Sequence, residues 1–234
     1  MDQDLETLRT RVNEVRAKLD AAAQGRPYTL LAASKTQSAE TINLLPQCGI
    51  FDYGENRVQE LCEKYAAGAY SGKPLHFIGH LQTNKVNKVV GRAALIESVD
   101  SEHLLQKVER AAAAANLTQE ILIEINIGGE ESKSGISAES LWPLLDMAAA
   151  QPHIRLRGLM AIPPAAATPD ETRAFFAQMR ELLAKAADRH YENAKMDILS
   201  MGMSGDYPDA IREGATIVRI GTAIYGARDY SKKA

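Results

Sequence analysis

Two short stretches carry residue types suited to holding an anion. Leu199-Ser-Met-Gly-Met-Ser-Gly-Asp206 is a serine and glycine loop, and Val218-Arg-Ile-Gly-Thr-Ala-Ile-Tyr-Gly-Ala-Arg-Asp229 places a Gly-Thr turn directly after a short apolar run. Small residues let backbone N–H groups approach a ligand, and N–H groups at a helix start suit an oxyanion. The two stretches together read as a phosphate cup, with the Ser204 hydroxyl as donor and the N–H groups of Gly221 and Thr222 closing it. Near the other end of the chain, Thr29-Leu-Leu-Ala-Ala-Ser34 reads as a buried strand that delivers Lys35 at its C-terminal edge. A lysine at the mouth of a packed barrel is partly desolvated, which favours the free amine needed to attack a carbonyl. An amine paired with a phosphate cup suggests pyridoxal 5'-phosphate as cofactor.

The elements that must bring these stretches together are legible as alternation. Leu5, Leu8, Val12, Val15 and Leu19 recur at three- and four-residue spacings, the stripe of an amphipathic helix over 3–23. Apolar or β-branched runs then follow at 29–33, 50–53, 75–79, 94–98, 120–126, 155–160, 196–199 and 215–220, each trailed by a segment of helical pattern. Strands with little internal polar alternation, separated by helices, belong to a parallel sheet covered on its outside. Eight such units predict an α/β chain folded as a single (β/α)8 TIM barrel over 1–234, preceded by one extra helix. Ser101 and Thr168 are expected to cap helices, and Ile162-Pro-Pro-Ala-Ala-Ala-Thr-Pro169 reads as an extended, weakly constrained loop.

Chemistry in such a barrel gathers at the C-terminal strand ends. The residues just past each run are Lys35, Asn56, His80, Ser98 with Asp100, Asn126, Met160, Ser200 with Met201, and Arg219. Taken singly, Ser98 and Asp100 are better read as turn residues than as ligands. Arg219 lies two residues before Gly221 and on the same strand face, so it is expected to point into the barrel toward a cofactor ring. An arginine beside a pyridine nitrogen disfavours its protonation, which weakens the ring as an electron sink. His76 and His80 do not make a metal pair, since residues four apart on a strand are roughly 13 Å apart. His76 reads as a core histidine, and His80 as a strand-exit residue able to face a ring. Gly128-Gly-Glu-Glu-Ser-Lys-Ser-Gly135 lacks the ending of a P-loop and reads as a mobile loop over the mouth, with Lys133 as a second amine.

The chain has 234 residues, 45% of them hydrophobic, with a formal net charge of −3 spread along its length, which argues against nucleic acid as a main partner. No apolar run approaches the roughly 20 residues of a membrane span, and the N-terminus shows no signal core, so a cytosolic, membrane-free protein is expected. Cys48 and Cys62 lack metal spacing and read as small buried thiols.

Seven segments, in order along nearly the whole chain, carry a family resemblance: Ala33-Ser-Lys-Thr36, Phe51-Asp-Tyr-Gly-Glu-Asn-Arg-Val-Gln-Glu60, His76-Phe-Ile-Gly-His-Leu-Gln-Thr-Asn-Lys85, Gly129-Glu-Glu-Ser-Lys-Ser-Gly135, Gly158-Leu-Met160, Leu199-Ser-Met-Gly-Met-Ser204 and Val218-Arg-Ile-Gly-Thr-Ala-Ile-Tyr-Gly226. They resemble the pyridoxal phosphate homeostasis (YggS/PROSC) family, whose barrel is similar to the N-terminal domain of bacterial alanine racemase and to other fold type III pyridoxal phosphate proteins. The resemblance implies that Lys35 holds the cofactor as an internal aldimine. It also implies that Asn56, His80 and Met201 line the ring, with Ser204, Arg219, Gly221 and Thr222 around the phosphate end. Gln37, where family members often carry a basic residue, and the proline-rich 162–169 loop depart from the pattern at the rim.

A full racemase of this kind adds a second β-domain with a tyrosine base on the opposite face of the cofactor, and the sequence ends soon after the phosphate turn. The resemblance therefore implies a monomeric, non-catalytic carrier that holds the cofactor and releases it, with pyridoxal phosphate-dependent apoenzymes as partners. A small amino-acid racemase is the alternative. A Schiff-base aldolase is weaker, since no residue is marked out for carbon–carbon cleavage.

Overall fold

Seven of the eight runs coincide with strands and the remaining one, 50–53, overlaps the start of a strand, and the strands pair in chain order into a closed parallel barrel. The structure is a computed structural model and describes residues 4–227, so Arg228 and Asp229 at the end of the second motif lie outside the described residues. The strands are β1 (Thr29–Ala33), β2 (Asp52–Glu55), β3 (Leu75–Phe77), β4 (Leu95–Val99), β5 (Gln119–Ile125), β6 (Ile154–Ala161), β7 (Ala194–Ser200) and β8 (Ile217–Ile220). The helices are α1 (Leu5–Ala23), α2 (Ala39–Leu44), α3 (Val58–Ala66), α4 (Glu102–Ala114), α5 (Leu141–Ala149), α6 (Pro169–Ala187), α7 (Tyr207–Arg212) and α8 (Thr222–Tyr225), with a 3-10 stretch at Thr83–Lys88 after β3.

Alternation along the strands sorts their side chains into two cores. Leu31, Ala33, Ile78, Leu95, Leu122, Met160 and Ile217 pack together inside the barrel. The intervening residues, such as Leu30, Ala32, Ile121, Ile123, Leu199, Val218 and Ile220, join the layer between strands and helices. Both faces are buried, which is why the runs read as continuously apolar. The helix stripe predicted at the N-terminus is also present: Leu8, Val12, Val15 and Leu19 of α1 are buried. α1 packs on α7 and α8. It covers the side of the barrel where the described chain after β8 supplies only a four-residue helix.

Closure brings the first and last strands together, because β1 pairs with β8 through Thr29–Ala32 and Ile217–Ile220. The predicted caps are present. Ser101 Oγ accepts from the Leu104 N–H at 3.3 Å, and Thr168 with Glu171 forms a reciprocal capping box.

Two expectations need correction. The second strand is displaced from 50–53 to Asp52–Glu55, because Gly49 closes a 3-10 turn in the left-handed region and the strand itself contains two carboxylates. The proline-rich loop is not loosely extended. Ala167 N–H closes a turn on Pro164 O at 3.1 Å, and Pro163 O accepts from Lys133 Nζ at 3.0 Å. The 128–135 loop beneath it is fastened by Asn126, whose amide donates to Glu130 O at 2.8 Å and accepts from Glu130 N–H at 3.1 Å.

Candidate functional site

Lys35 leaves β1 half-buried, between two residues held from α3. Lys64 Nζ donates to Ser34 O at 2.8 Å, and Glu60 Oε2 accepts the Thr36 N–H at 2.7 Å. Glu60 and Lys64 are i and i+4 on one helix and pair at 3.2 Å, so a single helical face holds the backbone on both sides of Lys35. Lys64 is itself buried and paired with Glu55 Oε1 at 2.8 Å, and Glu55 also accepts from the Tyr70 hydroxyl at 3.2 Å. Thr36 sits at φ 67, a conformation that a β-branched residue adopts only where its surroundings impose it. The position that delivers the amine is fixed by its neighbours.

The residues of the expected cup meet at the same rim. Ser204 Oγ accepts from the Ala223 N–H at 3.2 Å, which leaves its proton to be donated elsewhere. Gly221 and Thr222 precede that N–H at the start of α8, where the first amides have no acceptor inside the helix. The loop carrying Ser204 is shaped by Gly202, whose φ is +92 and where a Cβ would lie 2.5 Å from the Ala210 side chain. Gly202 O accepts the Arg219 N–H at 2.9 Å, so the loop runs beside β8. A Cβ on Gly221 would be 3.5 Å from Ala33 O, which sets the cup against the last residue of β1, two residues before Lys35. The β1–β8 seam thus brings Lys35, Gly221, Thr222 and Ser204 to one side of the mouth.

Asn56 follows β2, and the carbonyl oxygen of its side chain is buried without a hydrogen-bond partner. Such a group is costly unless a ligand or water meets it. Gly79 lets the Asn56 backbone pack closely on the β3 exit, since a Cβ there would stand 2.2 Å from the Asn56 backbone oxygen. His80 is exposed at the β3 exit, with Nδ1 3.2 Å from Ser134 Oγ and 3.6 Å from Asp100 Oδ2. It therefore joins the rim to the 128–135 loop. Met201 is placed differently from expectation. Its side chain is fully buried in the layer outside the strands, because Ser200 takes the inward position and the next residue must face out.

Sequence reading missed the polar stack below the mouth. Arg219 points inward as expected and is nearly fully buried, where Nη1 donates to Ser200 Oγ at 2.6 Å and Nη2 to Ala161 O at 3.0 Å. Ser200 Oγ donates to Glu97 Oε2 at 2.5 Å, and Glu97 Oε1 lies 2.7 Å from His76 Nδ1. Burial alone would push the Glu97 carboxyl up, but His76, Arg219 and Ser200 together hold it below the ordinary carboxylate range. Glu124 on β5 has fewer such partners, and burial, with Asp100 nearby, pushes its carboxyl up to about 7. Both carboxylates sit inside runs read as apolar. A lone glutamate in such a run was the available signal, because it must face one of two buried layers.

Comparison with known proteins followed the same outline. Residues 3–229 match the model of the alanine racemase N-terminal domain. The chain is 45% identical over 201 residues to the pyridoxal phosphate homeostasis protein of Aquifex aeolicus, covering 86% of this chain and 87% of that one. It is 40% identical over 235 residues to the protein of the same name from Pseudomonas aeruginosa, covering 98% and 100%. The structure of PipY from Synechococcus elongatus with pyridoxal phosphate bound superposes with a TM-score of 0.83 at 32% identity, over 94% of this chain and all of that one. Alanine racemase from Streptomyces lavendulae shares the fold at 19% identity and a TM-score of 0.76, with this chain spanning 58% of its length.

Proposed function

Because the chain belongs to the family of the alanine racemase N-terminal domain, and within it to the pyridoxal phosphate homeostasis proteins, we propose that it binds pyridoxal 5'-phosphate at the barrel mouth and holds it reversibly for cellular use. The carrying observation is the β1–β8 seam, which sets the Gly221 and Ser204 cup against the strand that leads to Lys35. The buried, unpartnered Asn56 side-chain oxygen is a second mark of fit, since a ligand in the mouth would satisfy it.

When bound, the cofactor supplies an aldehyde that condenses with a primary amine and releases water. Lys35 is the amine placed to react with it, and Ser204, Gly221 and Thr222 hold the phosphate. Asn56 and His80 stand at the rim facing the ring, while Arg219 lies beneath. Lys64 takes no part in covalent binding, because Ser34, Glu55 and Glu60 already engage its ammonium.

The same residues support holding over turnover. Arg219, not a carboxylate, is the charged group on β8 below the mouth, and a guanidinium does not protonate a pyridine nitrogen at neutral pH. A ring left unprotonated absorbs carbanion charge poorly, so amino-acid chemistry should be slow. We place the protein in the cytosol as a monomer, with cofactor-requiring apoenzymes as recipients. The test is equilibrium dialysis of the cofactor-stripped protein against pyridoxal phosphate and against pyridoxal. Tight, saturable, one-to-one uptake of the phosphorylated form is expected, and no uptake of either would refute the reading.

A further inference from the structure

We propose that Glu97 is a positioning residue for the site: it fixes the guanidinium of Arg219 below the mouth, and His76 fixes Glu97, so that a relay rooted near the barrel floor sets the acidity of the imine at Lys35. The inference rests on the reading that pyridoxal phosphate binds Lys35.

The relay occupies inward positions on four strands. Arg219 on β8 donates to Ser200 on β7 at 2.6 Å, so the single hydroxyl proton of Ser200 is left to go to Glu97 on β4, at 2.5 Å. The other carboxylate oxygen of Glu97 meets His76 Nδ1 on β3 at 2.7 Å. His76 Nε2 stands 3.9 Å from Asp52 Oδ1 at the start of β2, where that carboxylate is about one-third exposed. Arg219 Nη1 is also 3.9 Å from Glu97 Oε2 directly. Because each partner is buried and each contact has a fixed donor direction, the guanidinium has one orientation and a counter-charge that water does not screen.

Stability alone is a poor explanation for this arrangement. Barrel interiors are filled mainly by branched apolar side chains, and a buried ion set is often replaceable by apolar residues without loss. Here the apolar filling of Leu31, Leu95, Leu122 and Ile217 shares the interior with a charged layer. The charged and titratable groups around that layer are Lys35 just after β1, Asp52 on β2, His76 on β3, Glu97 and Asp100 on β4 and just after it, Glu124 on β5, Asp206 after β7, and Arg219 on β8. Glu97 is the member that contacts both His76 and the Ser200–Arg219 pair.

The cationic, protonated imine is favoured by a nearby negative charge and disfavoured by a nearby positive one. Replacing Glu97 by Gln removes the negative charge and leaves the Arg219 charge uncompensated, so the net field becomes more positive and the pH at which the imine loses its proton falls. The experiment loads wild type, Glu97→Gln and Ser200→Ala with pyridoxal phosphate and follows the visible absorption band across pH. A downward shift of the midpoint by about one unit or more, a tenfold change in proton affinity, is expected for Glu97→Gln, with a smaller shift in the same direction for Ser200→Ala. A merely structural role would change loading or melting without moving that midpoint. If Glu97→Gln does not fold, Ser200→Ala decides alone. Loaded variants that titrate like wild type overturn the relay and leave the cofactor reading intact, whereas a wild type that takes up no pyridoxal phosphate overturns both.

Discussion

Lys64 donates to the backbone carbonyl of Ser34 at 2.8 Å, so a buried ammonium holds the residue immediately before Lys35. Its counter-charges, Glu55 and Glu60, are equally local: one lies under α3 and the other reaches the Thr36 N–H on the far side of Lys35. The amine proposed to react is thereby backed by a second amine whose ammonium is already engaged by Ser34, Glu55 and Glu60.

Breaking this set should be costly. Lys64→Met leaves Glu55 buried without its cation and Ser34 O without its donor, and loss of one partner from a buried pair costs about 3–5 kcal/mol. Adding Glu55→Leu should restore a large part of that loss, because the stranded charge goes with it. Urea unfolding of the two variants beside wild type measures both effects.

The cup predicts selectivity for a phosphorylated ligand. Charge-assisted hydrogen bonds contribute about 1.5–3 kcal/mol each, so Ser204→Ala should weaken pyridoxal phosphate binding roughly tenfold or more. Pyridoxal, lacking the phosphate, should bind poorly to wild type and be insensitive to the substitution. Comparable affinity for both vitamers would argue against the cup.

Glu124 predicts an unusual pH dependence of stability. Burial, reinforced by Asp100, raises its carboxyl in the folded protein to about 7, against about 4.3 in an unfolded chain. Between those values the folded state binds the extra proton, so this group's contribution to stability is fully present below the unfolded value and is lost as pH rises through 7. Glu124→Gln, a neutral stand-in for the protonated form, should therefore stabilise the cofactor-free protein at pH 8 by up to about 3 kcal/mol and change little at pH 4. Melting curves at the two pH values check this, and equal effects at both would contradict it. Glu97 acts with the opposite sign. Its carboxyl is held low, so its contribution is present above about pH 4.3 and is lost as pH falls through its lower folded value.

Turnover on free amino acids should be negligible. With cofactor loaded, incubation with L-alanine in deuterated water should show little α-deuterium and little D-isomer. Racemisation at the 1–10³ per second typical of enzymes would favour the racemase alternative instead.

The barrel was legible because its strands are buried on both faces, and eight separate apolar runs admit few other architectures. The strand-end position of Lys35 was legible for the same reason, as a charge separated from an apolar run by one residue. Asp52-Tyr-Gly-Glu55 was not read as the second strand, since its two carboxylates have partners that only the fold supplies: His76 for Asp52, and Lys64 with Tyr70 for Glu55. Glu97 was passed over because it sits within the apolar run 94–98 and its partners, His76 and Ser200, come from other strands. Met201 was assigned to the ring by the family resemblance, whereas strand parity sends Ser200 inward and Met201 out. The α3 contacts to Ser34 and Thr36 span more than twenty residues of sequence, and no local pattern announces them.

The most direct test of the central claim, that Lys35 is the amine beside the phosphate cup, is borohydride reduction of the cofactor-loaded protein followed by peptide mass mapping. The account predicts a single reduced pyridoxal phosphate adduct on the peptide containing Lys35, absent from Lys35→Ala. An adduct carried principally by another lysine, such as Lys133, or a Lys35→Ala protein that still traps the cofactor to the wild-type extent, would contradict it.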